Sequence, residues 1–163
     1  MRVVYSILDV SPHLGGLAVP KSIVSDWNDF ENLNENTTGI VVASNSCNEG
    51  TILDFDLFES LQYLHIGSEC FKNVTTFNIN GLSKLNMITI GSASFTSKSE
   101  NTQYSFRILD CDSLLYLEIG YKSFQGYTAT LELSHLPSLE RINIGLLHSV
   151  STCFSKSNLY LQG

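Results

Sequence analysis

The chain has 163 residues, 43% of them hydrophobic and 15% charged, with a formal net charge of −7. That is one domain's length with enough apolar material for a core. The acidic balance supplies no basic patch to release counterions, which excludes nucleic acid and anionic lipid as partners. No apolar run approaches the ~18 residues that a spanning helix needs, so no membrane insertion is expected.

The N-terminal stretch Met1 to Val10 is a poor signal peptide, because Asp9 cuts its apolar run short. The compartment stays open on this reading, with a lean to an intracellular one. Val3, Val4, Ile7, Leu8 and Val10 suit a strand covering the start of the body. Ser11-Pro12 and Gly15-Gly16 then read as loop. From Pro20 the pattern changes. Ile23, Trp27 and Phe30 fall at helical spacing, and proline suits a first helical position, where its missing N–H is no loss. The spacing predicts a short capping helix near 21–32, with Trp27 and Phe30 closing one end. Residues 1–32 are thus expected to form an N-terminal cap and 33–163 the body. Asn34 to Gly39 is a polar loop.

The body repeats. Phe58-x-x-Leu61-x-x-Leu64-x-Ile66-Gly67 returns as Leu82-x-x-Leu85-x-x-Ile88-x-Ile90-Gly91. It returns again as Cys111-x-x-Leu114-x-x-Leu117-x-Ile119-Gly120 and as Leu136-x-x-Leu139-x-x-Ile142-x-Ile144-Gly145. The glycines are 24, 29 and 25 residues apart. A weaker copy, Ile40-Val41-Val42-Ala43, precedes them with alanine in the glycine place. Four residues beyond the glycine stands Phe71, Phe95 or Phe124, with Cys47 in the weak copy. A second alternating run follows: Leu53-Asp54-Phe55, Phe77-Asn78-Ile79, Phe106-Arg107-Ile108, Leu131-Glu132-Leu133 and Leu159-Tyr160-Leu161.

Alternation is a strand signal, and self-similarity at this period marks a solenoid. The expected fold is mainly β: a right-handed solenoid of about five coils, with short parallel strands in two ladders per coil. The glycine is expected to turn the chain at φ > 0, with the Phe filling the space beneath. One coil cannot stand alone. About six buried side chains give roughly 10–18 kcal/mol, less than the ~25 kcal/mol or more of backbone entropy lost on ordering two dozen residues. Stacked neighbours supply the remainder.

Two departures stand out. Residues 96–105 carry a polar insertion expected to bulge from one edge. In the last copy, Leu146 to Val150 intervene before Phe154. The sequence stops after a predicted strand without a capping helix, which suggests that the natural protein continues.

The frame L-x-x-L-x-x-L-x-I-G-x-x-S-F, carried most clearly by Leu114 to Phe124 and by Leu136 to Gly145, resembles the leucine-rich repeat superfamily. It is nearer to divergent repeats common in protists and looser to BspA-like repeats. The likeness covers about residues 33–163. It implies a protein-interaction scaffold without activity of its own, and it transfers no catalytic residue. The usual asparagine ladder is absent, so the Gly and Phe turn replaces it.

Little catalytic chemistry is visible. His13, His65, His135 and His148 show no H-x-x-x-H spacing. Cys47, Cys70, Cys111 and Cys153 form no C-x-x-C; Cys47 and Cys111 sit at core positions, which favours reduced thiols. Asn36-Thr37-Thr38 and Asn73-Val74-Thr75 match the glycosylation acceptor, as chance allows in a chain rich in these residues. A carbohydrate-active β-helix would need carboxylates gathered on one ladder, yet Asp54, Asn78, Arg107, Glu132 and Tyr160 alternate in type. No cofactor or metal is implied.

The outward columns of the first ladder are Tyr63, Met87, Tyr116 and Arg141, and beside them His65, Thr89, Glu118 and Asn143. Tyr, Met and Arg are enriched in interfaces. The expectation is a non-catalytic scaffold binding a protein or peptide through Tyr63, His65, Met87, Tyr116, Glu118, Arg141 and Asn143. The alternative is a structural spacer in a longer repeat protein.

Overall fold

The computed structural model describes residues 21–96, 104–127, 131–145, 153–154 and 158–162. The elements in chain order are β1 (Ser22–Val24), α1 (Trp27–Glu31), β2 (Gly39–Val42), β3 (Ile52–Asp54), β4 (Tyr63–Ile66), β5 (Thr76–Asn80), β6 (Met87–Ile90), β7 (Ser105–Leu109), β8 (Tyr116–Ile119), β9 (Leu131–Ser134), β10 (Arg141–Ile144) and β11 (Leu159–Gln162). β1 and the even-numbered strands build one sheet, β1-β2-β4-β6-β8-β10, and the remaining odd-numbered strands the other, β11-β9-β7-β5-β3. Every pairing is parallel and joins neighbouring coils. The chain is a mainly β solenoid.

Register follows the repeat spacing. Ile40, Leu64, Ile88, Leu117 and Ile142 are successive partners in the first sheet. The first four are sealed from solvent, while Ile142 on the end strand is 36% exposed. Leu53, Phe77, Phe106, Leu131 and Leu159 align likewise in the second sheet. Ile40, Leu64, Ile88 and Leu117 from one row and Leu53, Phe77, Phe106 and Leu131 from the other meet in one core, because strand side chains alternate faces. The expected second-ladder column Asp54, Asn78, Arg107, Glu132 and Tyr160 is also in register.

The glycines act differently from the expectation. Gly145 does have positive φ. In the preceding coils the left-handed residues are instead Glu69 and Phe71, Ala93 and Phe95, and Lys122 and Phe124, two and four beyond each glycine. Gly67, Gly91 and Gly120 are needed for proximity. A Cβ on Gly67 would sit 2.6 Å from the Ser44 nitrogen, and one on Gly120 2.5 Å from the Ser92 nitrogen. The Ala43 N–H bonds the Val24 carbonyl just as each glycine N–H bonds the coil before it, but there the preceding chain leaves β1 for α1 rather than making the same turn.

Beyond the glycine, buried hydroxyls and thiols tie the coils together. Ser94 Oγ donates to the Gly67 carbonyl at 2.9 Å and Ser123 Oγ to the Gly91 carbonyl at 2.8 Å. Cys70 Sγ does the same to Ala43 and Cys153 Sγ to Gly120. The backbone N–H of Cys70 donates to Ser94 Oγ, and that of Ser94 to Ser123 Oγ. This Ser/Cys column runs from coil to coil along the stack. Next to it the Phe rings stack: Phe71 on Phe95 at 5.4 Å, Phe95 on Phe124 at 4.5 Å, and Phe124 on Phe154 at 4.7 Å. Phe154 thus holds the Phe place of the last coil despite the intervening residues.

The N-terminal end also departs from expectation. The helix covers Trp27–Glu31 rather than 21–32, and Ser22–Val24 pairs with β2 as a strand. Asp26, not Pro20, begins the helix: its side chain accepts from the Asp29 N–H, and Asp29 accepts from the Ser25 N–H. The first bond satisfies one donor of the helix's first turn, and the second ties the chain before the cap to it. Ile23 is left on the outer face of β1, 64% exposed. Phe30 and Trp27 do pack against the described core. Phe30 packs edge-on against Phe55 and Phe71 at 5.7 and 6.1 Å, and the Trp27 ring fills the space beside Gly50.

The four cysteines are free, with Cys47, Cys70 and Cys111 buried. Burial pushes the Cys47 thiol up to about 12 and the Cys111 thiol up to about 11. No helix among the described residues is long and apolar enough to cross a membrane. The expected strand within 1–19, residues 97–103 of the insertion expected at 96–105, and the pair Leu146-Leu147 lie outside the described residues.

Candidate functional site

The two outward columns of the first sheet are formed as the alternation requires. Tyr63, Met87, Tyr116 and Arg141 are successive partners, as are His65, Thr89, Glu118 and Asn143. Direction and exposure nonetheless part company. Tyr63 and Met87 are only 1% and 2% exposed. They form a second hydrophobic cluster with Val41, against which Tyr116 packs. The expectation that Tyr63 and Met87 present an open row is therefore corrected. Large apolar side chains in adjacent coils share one patch, and alternation fixes only which way a side chain leaves the sheet. Burial raises the Tyr63 hydroxyl, with a hydrogen bond to Thr89 working against it.

The accessible part of the face lies toward β8 and β10. Tyr116 and Glu118 are half-buried, and Arg141 and Asn143 are exposed. The Arg141 guanidinium lies 5.8 Å from the Tyr116 ring centroid, a cation–π contact. The Tyr116 hydroxyl donates to Glu140 Oε2 at 3.1 Å, and that hydrogen bond raises the phenol. Tyr116 is therefore held on its face and at its tip. At the other end Lys21 lies 6.0 Å from the Tyr63 ring centroid.

The second column borders a groove that the sequence reading missed. His65, Thr89, Glu118 and Asn143 line it together with Ser92, Tyr121 and the glycines Gly91, Gly120 and Gly145. Its volume is about 390 Å³ and it is open to solvent. The groove follows from the packing of the coils. The close approach that forbids a Cβ at Gly91 and Gly120 also strips side chains from that edge of the sheet. The signal was in the sequence, as a glycine two residues after every second-column residue.

Inside the groove His65 Nδ1 and Thr89 Oγ1 are 2.6 Å apart. Burial, helped by Lys21, holds the imidazole below its ordinary range. Asn143 Nδ2 donates to Glu118 Oε1 at 3.3 Å. On the opposite ladder, Arg107 Nε meets Glu132 Oε2 at 2.8 Å, so that carboxylate is already paired. Among the described residues no three His, Cys, Asp or Glu side chains gather as metal ligands.

No protein-family model, no curated protein and no solved structure matches the chain.

Proposed function

We propose that this chain is a non-catalytic interaction module, of the leucine-rich repeat type in its frame, that binds a protein or peptide on the outer face of its first sheet. One observation carries the reading. Tyr116 and Arg141, residue types that dominate interface hot spots, stack at 5.8 Å on the accessible part of a rigid ladder and adjoin an open groove. Preordered side chains lose little entropy on binding. A parallel ladder also presents its columns as one continuous surface.

The test is a comparative pull-down with the wild-type chain and a Tyr116→Ala/Arg141→Ala variant, circular dichroism checking that both fold. Loss of a captured partner with the variant alone supports this face. Identical capture by both chains favours the second reading, a structural spacer within a longer array.

A further inference from the structure

We propose that the glycine-lined groove receives a basic side chain of an extended peptide, with Glu118 as the carboxylate that meets it. This rests on the reading of the first sheet's outer face as the binding surface.

Charge placement carries the argument. The nearby cations are already seated on aromatic rings: Lys21 over Tyr63, Arg141 over Tyr116 and Lys122 over Tyr121. The ion pairs among the described residues are Lys72–Glu69, Arg107–Glu132 and His135–Asp110. Glu118 is in none of them. Its contact is the Asn143 amide on Oε1, a neutral donor that orients the carboxylate without neutralising it.

The groove's shape admits a long side chain. Three of its lining residues, Gly91, Gly120 and Gly145, carry no side chain to fill it. The apolar stem of Lys or Arg can lie along it while the charged head reaches Glu118. Burial disfavours the charged form of His65 in the same groove. The net charge of −7 draws a basic segment to the chain, and the groove gives it a place to dock. An acidic partner meets the opposite field at every step.

The test uses fluorescence anisotropy with a labelled octapeptide alternating lysine and threonine. A glutamate–threonine octapeptide and a neutral oligosaccharide are the comparison probes. Glu118→Gln removes the groove charge. Glu59→Gln removes the same charge from an exposed site elsewhere and controls for overall electrostatics. The basic peptide is expected to bind wild type and Glu59→Gln alike, and Glu118→Gln at least about tenfold more weakly. Equal weakening by both variants, no binding of the basic peptide, or preference for the acidic peptide or the sugar overturns the proposal. The pull-down separates the two ideas. If Tyr116→Ala/Arg141→Ala loses its partner while Glu118→Gln keeps it, the face stands and the groove assignment falls.

Discussion

A Cβ placed on Gly91 would lie 2.5 Å from the carbonyl carbon of Gly67, one coil away. No backbone can yield at that point without disturbing the ladder, since Gly91 N–H also bonds the Ile66 carbonyl at 2.7 Å. Gly91→Ala is expected to destabilise the chain by about 3 kcal/mol through overpacking. Gly81→Ala meets open space but keeps a φ of +73°, so its cost is about 1 kcal/mol. Urea midpoints of the two variants check the order. A larger loss at Gly81 would contradict the role given to the glycine stack.

The buried hydroxyl column sets a second expectation. Ser94 Oγ both donates to Gly67 and accepts from Cys70. Ser94→Ala strands a carbonyl and an N–H and costs about 2 kcal/mol. Cys70→Ser keeps a donor aimed at the Ala43 carbonyl and is expected to change stability by less than about 1 kcal/mol. Chemical denaturation of both variants measures the contrast.

Phe124 is packed between Phe95 and Phe154 and fully buried. Phe124→Ala is expected to cost about 3–5 kcal/mol, the transfer term plus the cavity. Leu57 is 70% exposed, and Leu57→Ala is expected to leave the thermal midpoint within a degree or two of wild type.

His65 gives a pH dependence. Its folded pKa is lowered from the ordinary 6.5, first by burial and then by Lys21. The unfolded chain therefore takes up the proton first as pH falls. The stability linked to this group is present above about 6.5 and is lost as pH drops from there through the folded value. His65→Gln is expected to flatten that part of the curve. Urea midpoints at about pH 7.5 and about pH 5.5 read it out, the wild type losing more than the variant.

The interior rows were legible because Leu64, Ile88, Leu117 and Ile142 recur at spacings that only a stacked coil explains. The second ladder was legible for the same reason, down to the place of Tyr160 opposite Glu132. The strand at Ser22–Val24 was hidden. Three residues show no period, and the step from Ile23 to Trp27 mimics a helix. The glycine's role was half-seen, because sequence shows that a small residue recurs but not whether torsion or proximity demands it. The site was legible as a list of outward columns. It was not legible as a surface, because Tyr63 and Met87 point outward and are still buried.

The measurement that bears most directly on the central claim is a methyl NOE experiment on chain labelled at Ile, Leu and Val. The in-register stack predicts cross-peaks from Ile40 to Leu64, Leu64 to Ile88, Ile88 to Leu117 and Leu117 to Ile142, with none that skips a coil. A missing step, or a contact joining Leu64 directly to Ile142, would contradict the stacked-coil architecture and with it the face on which Tyr116, Glu118 and Arg141 are brought together.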